Sequence, residues 1–172
     1  MTEKQSGPQC TAKGAKSAGS SIVVRRAHRD DRDAIVEFQL ALARETENLR
    51  LDPQTVQEGV QAVFDDPRKG TYWIAELDGV VVGCLLTIPE WSDWRNGTIL
   101  WIHSLYVVPS ARGRGVFKAL FRVLQSQVAE HSELKALRLY VDKRNKPAQK
   151  VYRALGMTDE HYALYEWVPE RK

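Results

Sequence analysis

Hydrophobic residues recur at two different periods along this chain, and the changes of period divide it into elements. Residues 21–27, with the β-branched run Ile22-Val23-Val24, predict a first strand. A helix is predicted from Asp30, as its N-cap, to about Asn48, and its apolar face is formed by Ile35, Phe38 and Leu42. A second helix is predicted over residues 53–65, because proline stands at its first turn and another proline follows its end.

Three strands are predicted to follow as a meander. Residues 71–77 and 80–88 are apolar runs that flank Asp78-Gly79, a dipeptide typical of a tight hairpin turn. A third long strand is predicted from Thr98 to Val108, and residues 89–97 are predicted as the link before it.

The remaining residues predict two further helix–strand pairs. One helix ends near His131 and carries a stripe formed by Val116, Ala119, Leu120, Val123, Leu124 and Val128. A strand over 137–141 and a last strand over 161–168 enclose a short helix that ends at Gly156, with Ala148, Val151, Tyr152 and Leu155 on one face. The order β-α-α-β-β-β-α-β-α-β predicts an α/β fold with a mixed sheet.

Composition narrows the classes of protein. Residues 1–20 are polar and small, so we predict a flexible tail before one domain over 21–172. The net charge of +3 comes without a basic block, and no apolar run reaches about 18 residues, so we expect neither a nucleic acid nor a membrane as partner. Cys10 and Cys84 are too few for a disulfide framework, which favours a reducing, cytoplasmic compartment.

The turn Arg112-Gly113-Arg114-Gly115 lies between a predicted strand and a predicted helix. A helix N-terminus offers backbone N–H groups to an anion, glycine allows close approach, and arginine adds charge-assisted hydrogen bonds. A P-loop would need Lys-[Ser/Thr] after Gly115, and a dinucleotide fingerprint would need a small residue at Lys118; neither is present. By itself, the turn fits a plain strand-to-helix connection with solvated arginines better than it fits an anion site.

A second motif resolves that choice. The segment NKPAQKVYRALGM, residues 145–157, stands downstream of the turn. Together, the two motifs and the element order resemble the GNAT superfamily of acetyl-CoA-dependent N-acetyltransferases, from about Ile22 to Val168. The resemblance implies a mostly antiparallel mixed sheet flanked by helices and acetyl-CoA as cosubstrate. The chain departs from the family at Phe117, where the family usually has Gly or Ala; this ring is expected either to crowd the pyrophosphate or to point into the core.

The resemblance also implies the acetyl-CoA site and a mechanism of direct attack by a primary amine. A bulge in the strand before the turn is expected near Leu105, Tyr106 and Val107, whose backbone would bind pantetheine and polarise the thioester. Tyr152 matches the family tyrosine that donates to the departing thiolate, although its place on an apolar helix face also suits a core residue. The cofactor-binding set implied is Leu105, Tyr106, Val107, Arg112, Gly113, Arg114, Gly115, Val116, Phe117, Asn145 and Tyr152.

The acceptor amine must lose a proton, and its base is left open. His103 is chemically suited because its ordinary pKa is about 6.5, but it also fits a half-buried sheet position. Glu45 and Glu47, late in the first helix, are the alternative candidates for the base or for binding the amine. An aromatic and acidic pocket for a small cationic amine or a lysine side chain is predicted on the acceptor side. It would be formed by these glutamates with Trp91, Asp93, Trp94 and Trp101.

Other interpretations remain at this stage. Trp91 and Trp94 suit a cover for the sheet end or a dimer contact equally well, and a homodimer is only a family-level expectation. No His/Cys cluster has metal-ligand spacing, so no metal is expected. The alternative function is an acyl-CoA-binding regulatory module on the same fold without turnover.

Overall fold

The computed structural model describes residues 21–169 as a five-stranded sheet with helices on both faces. The strands are β1 (Ile22–Arg26), β2 (Thr71–Leu77), β3 (Val80–Ser92), β4 (Gly97–Val107) and β5 (Leu134–Arg138). The helices are α1 (Arg32–Glu47), α2 (Pro53–Asp65), α3 (Val116–Glu130) and α4 (Lys146–Ala154). The predicted tail, residues 1–20, lies outside the described residues, and so does Cys10.

Local chemistry explains where the first two helices begin and end. Asp52 caps α2 by accepting a hydrogen bond from the Thr55 backbone N–H at 2.8 Å, and Pro53 occupies the first helical position, where no N–H is needed. Helix α1 ends at Asn48, which adopts a left-handed conformation (φ 54°) that asparagine tolerates. The helix itself starts at Arg32, after a 3-10 turn at Arg29–Asp31.

The sheet order is β1-β2-β3-β4-β5, so every strand pairs with its neighbour in the chain. The first four strands are antiparallel, and β5 pairs with β4 in parallel after the α3 crossover. Asp78 and Gly79 both have positive φ, at 52° and 81°, as a tight hairpin turn between β2 and β3 requires. The predicted class, a mixed and mostly antiparallel sheet flanked by helices, is confirmed.

Two apolar clusters hold the layers together, one on each face of the sheet. Helix α3 covers the first face with Val116, Leu120, Phe121 and Leu124, while α1 and α2 cover the second with Ile35, Val36, Phe38 and Val60. Cys84 belongs to the second cluster and is fully buried, which raises the pKa of its thiol to about 12. Among residues 21–169, no helix is long and apolar enough to cross a membrane.

Four of the predicted elements differ in the structure. The strand predicted over 161–168 is not formed. A strand-like sequence supplies no partner edge, and here Tyr165 and Trp167 are 91% and 84% exposed. The strand predicted over 137–141 is instead β5, at 134–138. The link predicted at 89–97 is mostly strand, because β3 runs on to Ser92. On α4, Val151 is 44% exposed rather than part of the buried face.

Candidate active site

The turn between β4 and α3 has the backbone of an anion-binding turn. Gly113 and Gly115 have φ angles of 74° and 85°, in the left-handed region that favours glycine. A Cβ atom built on either residue would meet nothing within 4 Å, so open space lies over both. Gly115 is the N-cap of α3 and no side chain caps this end. The first N–H groups of the helix, from Val116 onward, are therefore available to a ligand such as a pyrophosphate.

A bulge interrupts β4 close to the predicted position. Tyr106 pairs with Cys84 and His103 with Leu86, so β4 carries one more residue than β3 between these pairs. The extra residue lies at Ser104–Leu105, and Ser104 has a positive φ of 48°. The bulge therefore begins just before the predicted span of 105–107.

The same stretch of β4 parts from β5. Their parallel ladder runs only from Thr98–Leu134 to Trp101–Arg138, while β4 continues to Val107. Beyond Trp101 the ladder ends together with β5, and we call the unpaired stretch between β4 and the chain after β5 the wedge. A wedge of this kind can take an extended chain such as pantetheine, because unpaired strand groups accept and donate hydrogen bonds.

Tyr152 of α4 packs against Phe117, the residue that departs from the family pattern. The two rings form an edge-to-face pair with centroids 5.5 Å apart, and Phe117 also contacts Phe121 at 5.9 Å. Phe117 is partly buried against the α3-side cluster, so the second of the two expected placements is the one found. Burial raises the pKa of the Tyr152 phenol, which keeps it protonated and able to donate.

Glu45 and Arg112 were assigned to opposite halves of the site, but in the structure they are bonded to each other. Arg112 Nη2 lies 2.5 Å from Glu45 Oε2, and the Tyr106 hydroxyl donates to Glu45 Oε1 at 2.8 Å. The hydrogen bonds from Arg112 and then Tyr106 lower the pKa of the Glu45 carboxyl. A carboxylate stabilised in this way is a weak base, which argues against Glu45 for proton removal.

His103 faces the α1 side of the sheet and has a partner that the sequence interpretation missed. Its Nδ1 lies 3.1 Å from the Tyr140 hydroxyl, and the two rings meet edge to face at 5.1 Å. Partial burial lowers the pKa of His103, so the imidazole is neutral near pH 7. In the tautomer whose Nδ1–H donates to the Tyr140 oxygen, Nε2 is the atom that can accept a proton. The alternation of Arg138 and Tyr140 against Leu137 and Leu139 was a signal that could have placed Tyr140 on this face.

Trp101 belongs to a charged and aromatic cluster beside His103. Its indole N–H donates to Glu90 Oε2, and the Arg138 guanidinium stacks over its ring at 5.7 Å. Glu90 Oε1 accepts from Arg138 Nη1 at 3.1 Å, so the acidic group of this cluster is neutralised by a neighbouring cation. The same guanidinium also lies over the Tyr162 ring, 5.5 Å from its centroid.

The other predicted acceptor residues do not join this cluster. Trp91 and Trp94 project into solvent with 65% and 89% of their surface exposed. Asp93 accepts from the Trp94 backbone N–H in the turn after β3, and Glu47 is exposed at the end of α1. Asn145 caps α4 through its side-chain oxygen, which accepts from the Ala148 N–H at 3.1 Å. Within the part of the chain described, no three His, Cys, Asp or Glu side chains form a group that could hold a metal ion.

A glycine turn at a helix N-terminus, beside a bulged strand that parts from its neighbour, defines an acetyltransferase type of domain. A family model described as the acetyltransferase (GNAT) family matches residues 36–157. The chain belongs to this family.

Relatives agree with that assignment. A mycothiol acetyltransferase of Thermomonospora curvata is 31% identical over 86 residues, which are 50% of this chain and 27% of the relative. An uncharacterized N-acetyltransferase of Methanocaldococcus jannaschii is 33% identical over 88 residues, which are 51% of this chain and 53% of the relative. The chain therefore spans about a quarter and about half of the length of these relatives.

Solved structures share the fold over most of the described residues. A structure described as a possible acetyltransferase from Clostridium difficile 630 is 38% identical with a TM-score of 0.81, covering 87% of this chain and 99% of that one. An aminoglycoside N-acetyltransferase in complex with CoA has a TM-score of 0.69 at 18% identity, covering 90% of this chain and 99% of that one. The second likeness is one of fold alone.

Proposed function

We propose that this chain transfers the acetyl group of acetyl-CoA to a primary amine by direct attack. The observation that supports this most is the juxtaposition of the β4 bulge, at Ser104–Leu105, with the open glycine turn at the start of α3. The turn suits the pyrophosphate, and the wedge beyond Trp101 suits the pantetheine that leads to the thioester. Membership of a family that uses acetyl-CoA supports the same assignment.

In this proposal, backbone groups and two side chains divide the chemistry. The β4 backbone at Leu105–Val107 holds the thioester carbonyl while the amine nitrogen attacks its carbon. His103 accepts a proton from the attacking nitrogen through Nε2, in the tautomer whose Nδ1–H donates to the Tyr140 hydroxyl oxygen. When the C–S bond breaks, the sulfur keeps the electron pair and Tyr152 donates a hydrogen bond to it.

The acceptor is proposed to be a small cationic amine or a lysine side chain, entering from the end of α1. An amine of pKa about 10.4 is neutral in roughly one molecule in 2,500 at pH 7, so a base increases the reactive fraction at the moment of attack. His103 and Trp101 would form the floor of this entry, with the Glu90 carboxylate bonded to Trp101 beside it. A cytoplasmic location and a homodimer stay predictions.

The test is thiol release from acetyl-CoA across a panel of amines: polyamines, amino acids, aminoglycosides and peptides with a free N-terminus or lysine. Turnover with at least one amine, with the acetylated product identified by mass spectrometry, is the expected result. Acetyl-CoA binding without turnover for any amine would instead support the acyl-CoA-binding module.

A further inference from the structure

The Arg112 guanidinium makes three contacts within the protein. Its Nε donates to the Val107 carbonyl at 2.9 Å, and its Nη2 bonds Glu45 at 2.5 Å. The guanidinium also lies over the Tyr106 ring, 5.6 Å from the ring centroid. These contacts direct Arg112 toward β4 and α1 and engage two of the guanidinium nitrogens that a pyrophosphate would otherwise use.

The contacts of Arg112 join three segments that are distant in the chain. Glu45 is in the last turn of α1, 67 residues before Arg112, while Tyr106 and Val107 end β4 just after the bulge. Arg112 itself begins the glycine turn. Glu45 completes the arrangement because its second oxygen accepts from Tyr106. We call Glu45, Tyr106 and Arg112 the α1–β4 bracket.

We infer that Arg112 is a positioning residue, which through the bracket ties the acetyl-CoA turn to the acceptor-side end of α1. Its role is to hold the Val107 carbonyl and the end of α1 in place while Gly113–Phe117 provide the N–H groups for the pyrophosphate. The inference rests on the proposed function for the identity of the ligand, but the contacts themselves do not depend on turnover. In this inference Glu45 has a structural role and does not act as the base.

The two candidate roles of Arg112 predict opposite effects of removing Glu45. If Arg112 were a pyrophosphate ligand, Glu45 would compete with the phosphate for it, so Glu45→Ala would leave acetyl-CoA affinity unchanged or increase it. If Arg112 acts through the bracket, Glu45→Ala and Arg112→Ala remove the same connection. Each should then weaken acetyl-CoA binding by about fivefold, the effect of a partly exposed charged pair. The double variant should be no weaker than the weaker single variant, because the two effects share one interaction.

The experiment measures acetyl-CoA dissociation constants by calorimetry on the full chain, for the wild type, both single variants and the double variant. Glu58→Ala, which removes an exposed carboxylate on α2 bonded only to Gln54 in the contacts described, is the matched control and should bind as the wild type does. Glu45→Gln keeps hydrogen-bonding atoms and should restore part of the affinity. Hydrogen exchange provides a readout independent of acetyl-CoA. Arg112→Ala should accelerate exchange at the end of α1, and Glu45→Ala should accelerate it at residues 107–113.

The inference is supported if Glu45→Ala and Arg112→Ala weaken acetyl-CoA binding to a similar extent and the double variant is no weaker than either. Hydrogen exchange should also change at the end of α1 in Arg112→Ala and at residues 107–113 in Glu45→Ala. A Glu45→Ala variant that binds acetyl-CoA as well as or better than the wild type would overturn it, and so would additive effects in the double variant. If the wild type binds no acetyl-CoA at all, the proposed function fails, while the exchange measurement still tests the bracket. Unchanged exchange in both variants would refute the bracket even if the enzyme is active.

Discussion

Replacing Tyr152 with phenylalanine removes one hydroxyl and leaves the ring in its place. The ring packs edge to face on Phe117 with centroids 5.5 Å apart, and this contact does not need the oxygen. The change should therefore leave the fold and the acetyl-CoA turn intact. Only the hydrogen bond proposed for the departing thiolate would be lost.

The expected loss follows from the pKa values of the two groups. A thiol has an ordinary pKa of about 8.5 and a tyrosine one of about 10, and burial raises the pKa of Tyr152 further, so full proton transfer is uphill by at least about 2 kcal/mol. Tyr152 is therefore expected to donate a hydrogen bond without full transfer. A hydrogen bond to a charged group contributes about 1.5–3 kcal/mol, which corresponds to a fall in kcat of about tenfold to 150-fold.

The assay is thiol release at saturating acetyl-CoA, with the dissociation constant of acetyl-CoA measured separately by calorimetry. Tyr165→Phe is the control, because it removes a hydroxyl from a side chain that is 91% exposed. A kcat within about twofold of the wild type would remove Tyr152 from the mechanism. A fall in kcat matched by an equal loss of acetyl-CoA affinity would show a packing role instead.

Three further predictions concern other parts of the site. His103→Gln should lower kcat/KM by at least about tenfold. In the wild type, kcat/KM should rise with pH through an inflection below 6.5, because partial burial lowers the pKa of His103. If the same inflection persists in the His103→Gln variant, the base is another residue. Gly115→Ala and Gly79→Ala both place a Cβ at positive φ with nothing within 4 Å. Both should therefore lower the free energy of unfolding by about 1–2 kcal/mol. Only Gly115→Ala should also weaken acetyl-CoA binding, measured by calorimetry. Phe117→Ala should lower both the unfolding midpoint and kcat, since it removes the ring that orients Tyr152; an unchanged kcat in a folded variant would contradict that orientation.

Local signals in the sequence predicted the elements whose ends are determined by local chemistry. A proline at the first turn and another after the end placed α2 at residues 53–65, and Asp78-Gly79 placed the β2–β3 hairpin. The strand predicted at 161–168 was wrong because a strand-like sequence cannot show whether a free sheet edge is available to it. The length of β5 depends in the same way on where β4 parts from it, at Trp101.

The site was predictable where a residue acts through its own backbone and less so where it acts through a distant partner. Gly113 and Gly115 carry their function in their φ angles, which glycine signals directly. The bond between Glu45 and Arg112 joins residues far apart in the chain, and no periodicity marks it. The sequence also does not show which side chains are exposed to solvent. Trp94 was predicted to line a pocket, but in the structure it is solvent-exposed in a turn.

The central claim is that acetyl-CoA binds with its pyrophosphate over the glycine turn and its thioester at the β4 bulge. A crystal structure of the full chain with acetyl-CoA bound tests this most directly. The account predicts phosphate oxygens within hydrogen-bond distance of the Gly113–Phe117 N–H groups, pantetheine in the wedge between β4 and β5, and the thioester carbonyl at the backbone of Leu105–Val107. A complex with acetyl-CoA bound elsewhere, or with the wedge closed and empty, would contradict it.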